Sequence, residues 1–291
     1  MIRKILLLIR PVQLILAALA YLLGTGIADY LGIPFTGDSF WLGLLMSLLG
    51  QSSMNLLAEA FRPPHDPILE GETRAERTKL RALLINLSLG FLGAEVVLGY
   101  ILFANSHLPS SAIFFLLISL FFIIAYAVPP IRALNRGYGE LILAAHIAYI
   151  ITGLGFLLQS DEFHRLLFGI ALPLTTLALA YFLVLGFPSF SRDQKYQRGT
   201  MLRLLTWQRT IPLHHSLVIS SYILFLAVSA MGPSLSLLWP AFLTFPFACL
   251  QIAMLWNIGR GAKPSWKLLT STALGILGLT MYFLTLTFWL R

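Results

Sequence analysis

Cysteine is almost missing from this chain: one residue, Cys249, lies inside an apolar stretch. That excludes a disulfide within the chain and a cysteine-rich metal site. Charge is scarce as well, at 11% of residues, and acids are fewer than bases, 12 against 20. With 58% apolar residues, so little charge excludes an ordinary soluble globular domain. The sequence has no low-complexity tract, no clear repeat and no linker, which argues for a single domain over residues 1–291. The formal charge of +8 does not indicate a nucleic-acid binder, because the bases are not gathered in one basic patch but spread over several short polar segments.

What fills the chain instead is apolar sequence of membrane-spanning length. Nine spans are expected, near 11–31, 40–60, 83–104, 111–130, 139–159, 165–187, 211–231, 235–256 and 268–290. Each should be a helix, since hydrocarbon leaves backbone polar groups no partners outside their own segment. The first apolar stretch continues past Ala20 to Ile27 without a convincing cleavage site, so it reads as the first span rather than a signal peptide. With nine spans, all Lys and Arg except Arg165 and Arg291 fall on one side, 18 of 20. The positive-inside bias then puts the N-terminus in the cytoplasm and the C-terminus outside, in a cell inner or plasma membrane.

Two polar segments on the basic side mix acids with arginines. The first follows span two and runs from Asn55 through Glu59 and Arg62 to Asp66. Asn55, Glu59 and Arg62, four and three residues apart, share one helical face, and Pro63-Pro64 should end that helix near Phe61 or Arg62. The stretch Thr73 to Arg81 reads as a short amphipathic helix, either a solvated face or a lid. The second segment follows span six and runs from Arg192 and Asp193 through Lys195 to Gln197 and Arg198. Glu59 and Asp66 either offset Arg74, Arg77 and Arg81 or form a site; Asp193 either pairs with Arg192 or joins them. Glu95, in the middle of span three, is expensive to insert and is a site candidate by default; His146 is either its partner or, as a lone His in a span more often is, a satisfied packing residue. Tyr126 is either an interfacial anchor or a cavity residue. His214 and His215 open span seven near the basic face, as interfacial residues or as helpers in proton removal.

Several patterns together resemble one family, the UbiA-type intramembrane prenyltransferases. They are Arg10-Pro11 opening span one, Asn55 to Asp66, Tyr126-Ala-Val-Pro129-Pro130-Ile-Arg132 with Arg136-Gly137-Tyr-Gly139-Glu140, and Arg192-Asp193. The resemblance covers essentially the whole chain and is nearest to the quinone-pathway members. It implies an all-α bundle of nine transmembrane helices around a central, lipid-accessible cavity. It also implies transfer of an isoprenyl chain from a prenyl diphosphate to an aromatic or quinone-precursor acceptor, with magnesium on two aspartate-rich motifs.

Carried over residue by residue, the resemblance makes Glu59, Asp66 and Asp193 the catalytic carboxylates and magnesium ligands. Asn55, Arg62, Arg132 and Lys195 become diphosphate contacts, and Tyr126, Glu95 and His146 cavity or acceptor residues. This chain departs from the motifs: Ala58, Glu59, Arg62 and Asp66 stand where the family has Asn-Asp-x-x-Asp-x-x-x-Asp acids, and Gln197 replaces the last acid of Asp-x-x-x-Asp. Two unit charges about 4 Å apart interact by roughly 4 kcal/mol at an effective dielectric of 20, and a divalent ion beside Arg62 would be repelled by about twice that. One magnesium ion or none is therefore expected. The same departures leave open a non-catalytic descendant of the fold that binds a lipid, quinone or pigment within a membrane complex. A secondary transporter built on inverted repeats is the weakest reading.

Overall fold

A computed structural model describes residues 2–231 and 235–291 of the chain. Besides a short 3-10 turn at Ala133–Asn135, they form ten helices: α1 Ile2–Leu8, α2 Pro11–Tyr30, α3 Gly37–Ala60, α4 Arg74–Ala104, α5 Ser110–Ala127, α6 Gly139–Leu157, α7 Arg165–Lys195, α8 Met201–Ala230, α9 Leu235–Gly259 and α10 Trp266–Trp289. Of these, α2 to α10 are long and apolar enough to cross a bilayer, nine spans among the described residues. No strand is present among those residues. The chain is an all-α integral membrane protein.

Helix ends follow local chemistry, with four differences from the sequence expectation. The span expected to begin near 83 starts at Arg74, because no Gly or Pro separates the charged turn from the apolar run. Thr73 caps it in a reciprocal box with Glu76, so the expected amphipathic helix is simply its first turns. α5 stops at Ala127, before Pro129-Pro130, since the residue ahead of a proline is pushed out of the helical region. α7 runs on to Lys195, which places Arg192 and Asp193 in its last turn rather than in a loop. α8 breaks at Thr206, whose φ of 66° and ψ of 166° are not helical, so its first turn is offset from the span.

Segment ends meet at two poles of the bundle. At one, Thr36 N donates to Gln159 Oε1 (2.8 Å) and Ser111 Oγ to Asp161 O (3.1 Å). At the other, the segments after α3, α5 and α7 join: His65 Nε2 lies 3.0 Å from Tyr196 O, and Gly137 N donates to Gly199 O (2.6 Å). This second contact requires glycine at 199, where a Cβ would overlap the Asn135 carbonyl.

The centre is built on α2 crossing the second half of α6, with α3, α7 and α10 around them. α6 widens over His146–Ile151 into a π-type turn. The crossing is close: Thr25 Oγ1 donates to Gly155 O (3.1 Å), and a Cβ on Gly24 would strike the backbone of Thr152 and Phe156. Gly24→Ala is therefore expected to cost about 1–3 kcal/mol through overpacking. Gly93→Ala, at a position facing open space, should cost far less. Thermal unfolding in detergent measures both.

Candidate functional site: an arginine-lined cavity at one pole

A cavity of about 330 Å³ opens where the ends of α3, α5 and α7 meet, and it is lined at its mouth by charged and polar groups. Arg10, Arg62, Arg132, Arg192 and Arg198 face Glu59, Asp66, Glu140 and Asp193 there. Deeper in, the wall is Leu143, Phe182 and Leu185. From Asp193 to Phe182 along α7 is a rise of about 16 Å at 1.5 Å per residue, so the cavity runs from the polar end toward the middle of the bundle.

The three carboxylates expected to hold metal converge here, and all are buried, Glu59 at 3% exposure and Asp66 and Asp193 at 2% each. Every one is already partnered by guanidinium. Glu59 Oε1 accepts from Arg10 Nη2 (2.9 Å), while Oε2 is ion-paired with Arg62. Asp66 receives Arg198 through two parallel bonds, Nε to Oδ2 (2.8 Å) and Nη2 to Oδ1 (2.7 Å), with Arg62 Nη1 at 3.4 Å. Asp193 Oδ1 accepts from Arg198 Nη1 (3.2 Å) and Oδ2 from Ser189 Oγ (2.9 Å). Arg198 thus ties the end of α3 to the end of α7.

The local acid–base alternatives resolve differently. Arg74, Arg77 and Arg81 do not neutralise Glu59 or Asp66. Arg77 instead holds the loop by donating to the carbonyls of Pro63 (2.6 Å), Pro64 (2.7 Å) and Asp66 (2.9 Å). Arg81 lies over the Phe61 ring. Asp193 pairs with Arg198 and not with Arg192, because neighbours on a helix point to different faces.

Arg132 differs from the paired arginines. It is 9% exposed, has no ion pair among the described residues, and its Nε finds no hydrogen-bond partner. Burial pushes its guanidinium below the ordinary range and Arg62 and Arg81 add to this, with Asp66 and Glu59 only partly offsetting them. For Arg10 burial acts the same way but is outweighed by Tyr126 and Glu59, which hold it above its usual value. Arg198 is likewise raised despite burial, by Asp66 and Asp193. Three non-glycine residues here sit in the left-handed region: Arg10 (φ 61°), Arg132 (φ 36°) and Gln197 beside Arg198 (φ 49°). Such strain gathers where backbone geometry serves side-chain placement.

Of the residues expected at the site, Glu59, Asp66, Asp193, Arg62, Arg132 and Tyr126 line the cavity. Asn55, Lys195, Glu95 and His146 do not. Asn55 is fully buried and donates to Ile9 O (2.8 Å), so it braces the turn that carries Arg10. Lys195 is exposed, with its Nζ over the Tyr196 ring. Glu95 and His146 do not pair, and His146 is the satisfied packing residue of the two alternatives. His146 bonds Ser119 Oγ (2.9 Å) through Nε2 and Gln51 Oε1 (3.0 Å) through Nδ1, and Gln51 continues to Asn55 (3.3 Å). Glu95 packs against Gly50 in a lateral groove with Leu92 and Val96. His214 and His215 face each other, Nδ1 to Nδ1 at 3.3 Å, away from the cavity. Sequence reasoning did not assign site roles to Arg10, Ser189 and Arg198. The nearest signals were Arg10-Pro11 at the mouth of the first span and Arg198 five residues after Asp193.

No protein-family model and no curated protein matches this chain in sequence. Solved structures do match its shape. A UbiA homolog from Archaeoglobus fulgidus bound to GPP and Mg2+ superposes with a TM-score of 0.66 at 17% identity, over 99% of this chain and 100% of that one. The apo UbiA homolog from Aeropyrum pernix K1 gives 0.59 at 15% identity, covering 93% and 96%. A digeranylgeranylglyceryl phosphate synthase gives 0.57 at 17% identity, covering 99% and 97%. The chain has the UbiA fold.

The carboxylates of this UbiA-fold site do not fit a divalent ion. Magnesium needs several oxygens turned toward it at about 2.0–2.1 Å, and here each acid is turned toward a guanidinium. Among the described residues no three His, Cys, Asp or Glu side chains are grouped to hold an ion.

Removing the bridge strands two buried acids. Arg198→Gln is expected to destabilise the protein by about 3–5 kcal/mol, the usual cost of breaking a buried pair from one side. The double variant Asp66→Asn/Arg198→Gln should recover part of that loss. Denaturation of the purified protein in detergent reads both.

Proposed function

We propose that this UbiA-fold protein is an intramembrane prenyltransferase. It takes an isoprenyl diphosphate with the head at the arginine-lined mouth and the hydrocarbon along Leu143, Phe182 and Leu185, and passes the chain to an aromatic or quinone-type acceptor. The observation that carries the reading is Arg132: a buried guanidinium with no ion pair among the described residues, facing a cavity that turns apolar with depth. A buried charge is expensive unless paired, and an anionic head supplies the missing partner. The basic mouth corresponds to the cytoplasmic face under the positive-inside bias, where water-soluble diphosphates and acceptors arrive.

In this reading the allylic C1–O bond breaks with its electron pair leaving on the diphosphate. Arg62, Arg132 and Arg198 surround the oxygens on which charge grows, Arg62 and Arg198 fixed in advance by their carboxylate partners. Phe182, Leu143 and Leu185 keep water from the allylic cation. The acceptor forms the new bond to C1, and the proton it loses passes to the released diphosphate. Tyr126, buried at the cavity wall, is placed to contact donor or acceptor.

A second reading is favoured by the complete neutralisation of Glu59, Asp66 and Asp193: a non-catalytic protein that holds a quinone, pigment tail or other lipid for a membrane complex. Incubating the protein in nanodiscs with labelled prenyl diphosphates of several lengths and a panel of aromatic and quinone-type acceptors separates the two. Prenyltransfer predicts released diphosphate and a prenylated product, with Arg132→Gln lowering turnover by at least about tenfold, the value of one charge-assisted hydrogen bond. Binding without any product supports the lipid holder and contradicts the enzyme.

A further inference from the structure

We infer that the diphosphate head is gripped by guanidinium groups without a metal ion, the carboxylates serving to aim the arginines rather than to ligate magnesium. This rests on the prenyl diphosphate reading above and specifies how that site works.

The division of roles is visible in the pairing. Glu59 fixes both Arg10 and Arg62; Asp66 fixes Arg62 and Arg198; Asp193, itself held by Ser189, fixes the third nitrogen of Arg198. Three acids therefore immobilise three forks, and each guanidinium keeps further N–H groups for an anion. Arg62 is also tied to the loop by Nη1 donating to Pro67 O (2.8 Å). Arg132 and Arg192 line the same cavity and neutralise no acid in any ion pair among the described residues. The lining carries five guanidiniums against four carboxylates, so it is cationic before any ion arrives.

A magnesium cluster requires the opposite balance, with acids in excess and free to face the metal. Placing a divalent ion among Glu59, Asp66 and Asp193 would first have to strip away Arg10, Arg62 and Arg198 and leave them beside the new positive charge. Arginine is suited to holding the diphosphate directly. Its planar fork matches phosphate oxygens two at a time, and its charge does not depend on pH in the working range. The acids are positioning residues here, and the arginines are the binding residues.

Binding of geranyl diphosphate to the intact protein in nanodiscs, in excess EDTA and in excess Mg2+, tests the inference. The expected result is the same affinity in both, within about threefold, with inorganic pyrophosphate competing and geraniol not competing. Arg62→Gln and Arg132→Gln should each weaken binding roughly 10- to 100-fold in EDTA, with no rescue by Mg2+. The second variant is informative even where the first misfolds, since Arg132 leaves no carboxylate unpaired. Arg62→Asp, which adds an acid between Glu59 and Asp66, should lose the metal-free binding. Affinity that vanishes in EDTA and returns with Mg2+ overturns the metal-free grip and leaves the prenyl diphosphate reading intact. Absence of binding in both conditions overturns that reading and this inference together.

Discussion

Three buried carboxylates at one pole of the bundle set the terms for everything around them. Glu59, Asp66 and Asp193 sit on or just beyond the ends of α3 and α7, where burial forbids leaving them unmatched. The chain matches them with arginines drawn from three places: the turn before α2, the α3 end itself and the loop after α7. Arg198 is the piece on which the arrangement turns, since its fork bonds Asp66 through two nitrogens and Asp193 through the third. Gly199 permits this by letting its backbone lie against Asn135, and Asp193 O fixes Arg198 N at 2.9 Å. The ion-pair network is thus both the closure of the bundle and the wall of the cavity.

Among the described residues the pairing leaves one guanidinium of the buried cavity wall without an ion pair. Arg132 occupies a left-handed backbone position immediately after Pro129-Pro130-Ile131, at the expense of burial and strain, and meets no acid. On the proposed function, this fourth guanidinium takes an anionic head from outside, and the apolar walls beyond it take the hydrocarbon attached to that head.

Much of the fold was legible in the sequence because lipid imposes length and hydrophobicity together, and the nine spans follow from that alone. The end marked by Pro63-Pro64, at Ala60, was legible for a local reason, whereas span four, expected to reach 130, ends its helix at Ala127 ahead of Pro129-Pro130. Ends lacking a breaker were not legible: charge suggested a separate short helix at Thr73–Arg81 and a loop at Arg192–Lys195 where the spanning helices continue, since charged residues are good helix formers. At the site, the convergence of α3 and α7 acids was expected from the resemblance, and Arg62 marked the departure from a metal cluster. The partners were hidden because they lie far along the chain, Arg10 49 residues from Glu59 and Arg198 132 residues from Asp66. Glu95 and His146 were assigned to the cavity by the resemblance, and neither lines it. Both are polar residues within spans, but His146 had nearer partners in Gln51 and Ser119, and Glu95 faces a lateral groove.

The most direct test of the central claim is a structure of the protein with a non-cleavable prenyl thiodiphosphate and manganese, which marks its own position by anomalous scattering. The account predicts the diphosphate among Arg62, Arg132 and Arg198, with no manganese signal between Glu59, Asp66 and Asp193. A manganese peak coordinated by those acids, with the arginines swung away, would contradict it.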